Sequence, residues 1–298
     1  MALFSLALLQ LEKAAPGRPP GGSSMRAVPT FALAAWLGAC PWRAIAADAA
    51  AEPAGAGGAV AAEGGARPPV PFAPGEQIDV VIDYLHVRTG QARFMVGRPE
   101  GDIWPVICQA RTDGLAALLD IREHYVTYWD AEARRSRGSD LNAIEVGDRH
   151  TDRARFDREN GKATVQVIRK GRLRESTHDI PQDVHDLASA LLELRMRPMV
   201  LGARYEFPVF SGNDTFTLRA VVEGEETLDT PAGRFQTTRV KVRLGFKDKF
   251  HSERDSYVWI SKDPRHIPVR MSAEFAIGSV VVTLSGYRPG GQLAASTR

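Results

Sequence analysis

The chain has 298 residues, 44% of them hydrophobic, enough to bury a sizeable core as one large domain or two small ones. Its 38 basic and 36 acidic residues almost balance. Setting aside the cations Lys13, Arg18, Arg26 and Arg43 and the anion Glu12, all before Ala47, leaves 34 basic against 35 acidic residues. The sequence pI of 8.6 is therefore mostly a property of the leader, and no electrostatic case for a nucleic-acid partner remains.

Residues 1–24, including "EKAAPGRPPGGSS", lack the logic of a signal and read as upstream of a true start at Met25; a long n-region is the other reading. Met25-Arg26 then supplies the positive n-region of a signal peptide over 25–46. Ala27 to Trp36 is its apolar core, too short to span a bilayer. Two cleavage sites compete behind it. Leu37-Gly38-Ala39-Cys40 has the form of a lipobox, after which Cys40 would carry lipid. Ala44-Ile45-Ala46 has the A-x-A form, with cleavage between Ala46 and Ala47, and is the favoured reading. Either way the expected destination is outside the cytoplasm, in the periplasm, free or lipid-anchored to a membrane. No transmembrane span is expected in the mature protein.

Residues 47–71, rich in Ala, Gly and Pro, cannot bury enough apolar surface to offset their ordering entropy and read as a flexible linker. One domain is expected over 72–290, with a disordered tail at 291–298. In "EQIDVVIDYLHV" Ile78, Val80, Ile82 and Tyr84 alternate with Gln77, Asp79, Val81 and Asp83, the period of a strand with one buried face. "HVRTG" reads as a five-residue hairpin loop before Ala92, Phe94 and Val96 repeat the alternation. Cys108, in "WPVICQA", reads as a small buried apolar residue; with Cys40 lost or lipidated it has no intrachain partner. "DGLAALLDI" predicts a short helical piece with Leu115, Leu118 and Leu119 on one face, before the strand "REHYVTYWD". "ARRSRGSD" reads as a solvated basic loop.

Asn160-Gly161 marks a tight primed turn, Lys170-Gly171 closes the next hairpin, and "SGND", "TPAG" and "KDPRHIP" separate later strands. Between them "PQDVHDLASALLELRMRP" places Val184, Leu187, Leu191 and Leu194 on one stripe, with Asp183 as cap and Pro198 beyond the end. The expectation is a mainly β (α+β) domain: a curved antiparallel sheet or open β-barrel packed on one main helix.

These elements, in this order, resemble the DUF 3108 family of exported bacterial proteins of unknown function. The resemblance lies in "GEQIDVVIDYLHVRTGQARFMV", "DLASALLELR" ending in Arg195, "LGARYEF", "LDTPAGRFQTTRV" and "VWISKDPRHIPVRM". The tyrosine-rich helix start of that family is replaced here by Leu192, Glu193 and Leu194. The closing strands also resemble, at the level of fold, periplasmic carriers of outer-membrane lipoproteins, which implies an apolar cavity for acyl chains.

No H-E-x-x-H, paired C-x-x-C, G-x-S-x-G or phosphate-cradling glycine loop occurs, and no catalytic residue, metal ligand or cofactor is assigned. His178, Asp179, Asp183, His185 and Asp186 form a dense donor cluster, read as helix capping. Glu253 and Asp255 read as solvent-face charges. Arg195 reads as a structural charge at the helix end, and Tyr84, Phe94, Tyr125, Trp129, Leu187, Leu191, Trp259 and Phe275 are candidates to line a cavity. The leading expectation is a non-enzymatic envelope protein that binds or carries a hydrophobic, lipid-like ligand, or assists envelope assembly. A hydrolase acting on envelope material and a sheet-edge scaffold for a protein partner remain open.

Overall fold

The computed structural model describes residues 69–246, 249–250, 256–274 and 278–291. The leader, Cys40, the cleavage sites, most of the linker, the tail beyond Gly291, Glu253, Asp255 and Phe275 lie outside the described residues.

One antiparallel sheet dominates. Its strands are β1 (Gln77–Tyr84), β2 (Val87–Val96), β3 (Ile103–Thr112), β4 (Arg122–Asp130), β5 (Arg135–Glu145), β6 (Asp148–Asp157), β7 (Lys162–Arg169), β8 (Arg172–Asp179), β9 (Arg204–Ser211), β10 (Asp214–Thr230), β11 (Gly233–Phe246), β12 (Lys249–Phe250), β13 (Ser256–Ser261), β14 (Pro268–Glu274) and β15 (Ser279–Arg288). Their spatial order is β8-β7-β6-β5-β4-β3-β2-β1-β15-β14-β13-β11-β10-β9, with the short β12 beside β11. The order is a meander cut between β8 and β9 and joined through β1 and β15. The cut is where the only α-helix among the described residues, α1 (Leu187–Arg195), is inserted.

Alternation decides which face is inside. Ile78, Val80 and Ile82 of β1, Val258 and Ile260 of β13, and Val282 and Leu284 of β15 are buried in one core cluster, while Asp79, Val81 and Trp259 between them are only half-buried. The helix is enclosed further than its predicted stripe required: none of its nine residues is exposed. Ala190 and Leu194 join the main cluster; Leu192 packs with Phe72, Val96, Val106 and Trp129. On the approach to the helix, Val184 sits with Phe156, Ala163, Val165, Ile180 and Phe210, residues drawn from near both cut edges of the sheet. His185 bridges Val209 of β9 in parallel, its amide donating to the Pro208 carbonyl at 2.8 Å and its carbonyl accepting from Phe210 at 2.7 Å. The segment leading into the helix thus occupies the gap between the two edges.

Several local expectations are corrected. The first hairpin turns on two residues, Leu85 and His86, with φ of 52° and 65°, and Gly90 lies inside β2. A Cβ there would meet the Arg111 carbonyl oxygen at 2.7 Å, so close strand approach is the reason for glycine. Of Asn160-Gly161 only Gly161 takes positive φ, because the loop runs from Arg158 to Gly161 and is tied by Asp157 to the Asn160 amide at 3.1 Å. The "ARRSRGSD" run is not a loop throughout: β5 begins at Arg135, with Ser136, Gly138 and Ser139 buried. "DGLAALLDI" forms a 3-10 turn over Gly114–Leu119 whose Leu118 and Leu119 are exposed and pack on nothing like a core. Val70 packs on the Phe72 cluster, so ordered packing starts slightly before Phe72.

Candidate functional site

The helix carries one buried charge at each end, and each has the sign that the helix dipole favours there. At the N-terminus the cap is Asp186, where Asp183 was expected: its side chain accepts from the Ser189 amide at 2.9 Å, and the Ser189 hydroxyl accepts from the Asp186 amide at 3.0 Å. The same carboxylate accepts from Thr127 of β4 at 2.9 Å and Ser136 of β5 at 2.5 Å, so the cap is also a tie to the sheet. Burial raises the Asp186 pKa, partly offset by these hydrogen bonds. Desolvation, reinforced by Asp186, pushes the half-buried Tyr125 hydroxyl well up.

At the C-terminus Arg195 pairs with Glu76, just before β1, through two parallel bonds of 2.8 Å; both side chains are 2% exposed. The guanidinium also donates to the carbonyls of Arg265 and His266, each at 3.0 Å, in the β13–β14 loop. The Tyr287 hydroxyl of β15 donates to Glu76 at 3.1 Å, and desolvation, with the Glu76 charge beside it, pushes its pKa up to about 12. Arg195 further lies over the Phe72 ring at 5.1 Å. Sequence reasoning singled out Arg195 and missed its partner. Glu76 was visible as the acid of "PGEQ", but nothing in alternation or spacing shows an acid before a strand reaching a helix end more than a hundred residues away.

Beside the helix and next to this pair is a small recess, partly open to solvent, with a cavity volume of about 30 Å³. Its walls are Ile78 of β1, Phe94 and Val96 of β2, Val106 of β3, and Ala188 and Leu191 of α1. Glu76 and Arg195 are its polar members, and each satisfies the other, so the wall they contribute bears no free charge. The recess is apolar with a few placed polar groups, the ordinary chemistry of a small-molecule site.

The other residues singled out in the sequence fall elsewhere. Trp129 is 0% exposed and edge-on to Phe72 and Trp104 at 5.1 and 5.4 Å, so its volume fills core and leaves no cavity wall. Trp259 stands on the face opposite Val258 and Ile260, its indole N–H donating to Glu226, with Tyr257 alongside at 5.7 Å. Leu187 and Tyr125 pack at the margin of the main cluster, and Tyr84 ends β1, half-buried. Cys108 is buried on the inner face of β3, and desolvation raises its pKa away from reactivity.

Of the dense donor cluster, His178 meets Ser176 at 2.8 Å, Asp179 pairs with Lys162 at 2.6 Å, and Asp186 caps the helix. His185 is buried against Phe207, and its Nδ1 has no hydrogen-bond partner. Burial, reinforced by the Arg158 guanidinium, pulls its pKa down to about 4. Arg158 donates to the carbonyls of Gln182 at 2.6 Å and Val184 at 3.0 Å, and to that of Ser136, stitching the helix approach to β5.

A depressed histidine pKa means that the folded chain keeps the ring neutral while the unfolded chain accepts a proton below about 6.5. This contribution to stability is therefore complete above about pH 6.5 and is lost as the pH falls toward about 4, by about 3 kcal/mol in all. Urea unfolding across that window should show the loss, and His185→Gln should flatten the slope. An unchanged slope in the variant would remove His185 from the account.

Among the described residues no helix is long and apolar enough to cross a membrane, a statement that says nothing of β-barrels. A beta-barrel-like protein of DUF1849 from Brucella abortus shares the fold: TM-score 0.54, 12% identity, 75% of this chain and 100% of that one covered. A lipoprotein from Parabacteroides distasonis aligns with TM-score 0.31 and 12% identity over 74% and 98% of the two chains. The lipoprotein LppX of Mycobacterium tuberculosis aligns with TM-score 0.24 and 16% identity over 72% and 88%. No curated protein matches the sequence. The family model described as "Protein of unknown function (DUF3108)" matches residues 79–285, which span nearly the whole sheet and its helix, and the chain accordingly belongs to the DUF3108 family.

Proposed function

We propose that this protein is an exported, non-enzymatic binding protein that holds an apolar, acyl-type ligand in the recess beside α1. The observation that carries the reading is the make-up of that recess: aliphatic and aromatic walls, and a charged pair that is already neutralised at 2.8 Å in both of its bonds. A wall of this kind gives a polar substrate no unsatisfied group to recognise, whereas an acyl chain gains by leaving water. Its cavity volume of about 30 Å³ is far below the range of about 300–1,000 Å³ common for small-ligand sites, so an acyl chain would enter by one end or by moving the flexible Leu191 and Met95 side chains that line it. The enclosed helix offers a rigid floor, since buried charges fix it at both ends. The leader read from the sequence sets the stage for this role in the periplasm, with the chain free or lipid-anchored.

The test is displacement of a fluorescent fatty acid from the purified protein. Binding should be saturable in the wild type and lost in Ala188→Trp, whose indole would occupy the recess, with Leu191→Trp as the second variant. Wild-type protein that does not bind the probe, or a folded tryptophan variant that binds it unchanged, would overturn the reading.

A further inference from the structure

In a meander, alternate turns come out at the same end of the sheet. The β1–β2, β3–β4, β5–β6 and β7–β8 connections therefore form one rim, and three features set that rim apart. Large apolar residues stand at its tips: Leu85 and Val87, Leu118 and Leu119, Val146, and Leu173, with Leu118 92% and Val146 73% exposed. Of the eight exposed large hydrophobic residues among the described residues, these are six; the other two, Val200 and Leu201, lie before β9, away from this end.

Leu85 and Val146 also have φ of 52° and 51°, where asparagine or glycine is the normal choice and a β-branched side chain is strained. Leu85 lies over Gly278, whose added Cβ would meet it at 2.2 Å, but neither burial nor turn chemistry explains Leu118 or Val146, which is what a functional surface looks like when sequence logic fails locally. Finally, the tips are interleaved with cations. Arg111, Arg149, Lys170, Arg172 and Arg174 are exposed there, as are Arg88 and Arg122, which pair with Asp113 at 3.0 Å and Asp120 at 2.7 Å. Asp120 and Glu175 are the exposed anions, and Asp83, Asp113, Glu145 and Asp148 are half-buried.

We propose that this rim docks the domain on an anionic lipid surface, its apolar tips entering the headgroup layer and its arginines and lysine lying among the phosphates. Separate apolar prongs between cations fit a fluid, negatively charged interface, where each inserted side chain and each basic residue adds its own small attraction. A protein partner would call instead for a contiguous apolar patch with a polar rim. The inference does not depend on the recess or on what it binds.

Vesicle flotation tests it, with every variant made in the chain from Ala47 onward so that no acyl anchor at Cys40 contributes. The protein should float with vesicles of phosphatidylethanolamine and phosphatidylglycerol, float poorly with phosphatidylcholine alone, and be released by salt. Leu118→Ser/Val146→Asn/Leu173→Thr should weaken partition by about tenfold or more, a loss of about 1.4 kcal/mol. Val200→Ser/Leu201→Ser should leave it unchanged. Asparagine suits the Val146 backbone, so the triple variant should fold; the exposed single change Leu118→Ser, expected to weaken partition in the same direction, gives a second reading. No binding by the wild type, or equal binding by wild type and both rim variants, would overturn the proposal. Self-association that the triple variant abolishes, without vesicle binding, would also overturn it and assign the rim to a second copy of the chain.

Discussion

Replacing Arg195 with alanine is expected to lower the unfolding free energy by about 3–5 kcal/mol, because it leaves the Glu76 carboxylate buried without its counter-charge. The carbonyls of Arg265 and His266 lose a donor at the same time, and the Phe72 ring loses its cation. Arg195→Met with Glu76→Leu should cost less than the single change, since no charge is then stranded. It should not restore wild-type stability, because the two carbonyls still lack their donor. Urea denaturation of the three variants separates these contributions. Equal losses in the single and double variants would mean that the pair itself is not what holds the C-terminal end of the helix.

The second large effect is expected at the other end. Asp186→Ala removes the cap, strands the Ser189 amide and the Thr127 hydroxyl, and leaves the Ser136 hydroxyl with only the Gly138 carbonyl at 3.0 Å. A loss of about 2–3 kcal/mol follows, more than a surface cap would give, because these partners are buried. Asp186→Asn retains an acceptor for the amide and should cost less. Because burial raises the Asp186 pKa, the ionised wild-type group is a growing burden as the pH rises through its folded pKa. The asparagine variant should therefore lose less relative to wild type at high pH than at low pH. A gap between the two proteins that widens with rising pH would contradict this. If Thr127→Val or Ser136→Ala is as harmful as Asp186→Ala, the network and not the cap dominates.

The sheet was largely legible because its physics is local. Alternation at Ile78, Val80 and Ile82, glycine at tight turns and the three-four spacing through Leu187, Leu191 and Leu194 are all written within a few residues. The errors came where two local signals competed. Asp183 and Asp186 are both acceptable caps in isolation, and only Thr127 and Ser136, brought in by β4 and β5, select the second. The arginines of "ARRSRGSD" suggested a loop, yet Ser136, Gly138 and Ser139 between them are small enough to be buried in a strand.

The candidate site was much less legible than the fold. Phe94 and Leu191 could be picked out as apolar residues on facing elements, but the same criterion also picked Trp129, which packs solidly, and Trp259, which stands on the other face. Whether an inward side chain fills space or borders it depends on what lies opposite, and Ala188 leaves room where Phe72 does not. The Glu76–Arg195 pair was hidden for a related reason, since a contact between segments so far apart in the chain leaves no trace in the spacing of either residue.

The central claim is that the recess beside α1 holds an apolar ligand, and native mass spectrometry of protein released gently from the cell envelope tests it most directly. The account predicts a bound acyl-bearing molecule at one per chain, absent from folded Ala188→Trp protein prepared in the same way. Wild-type protein that is uniformly empty, or ligand that persists in the filled variant, would contradict it.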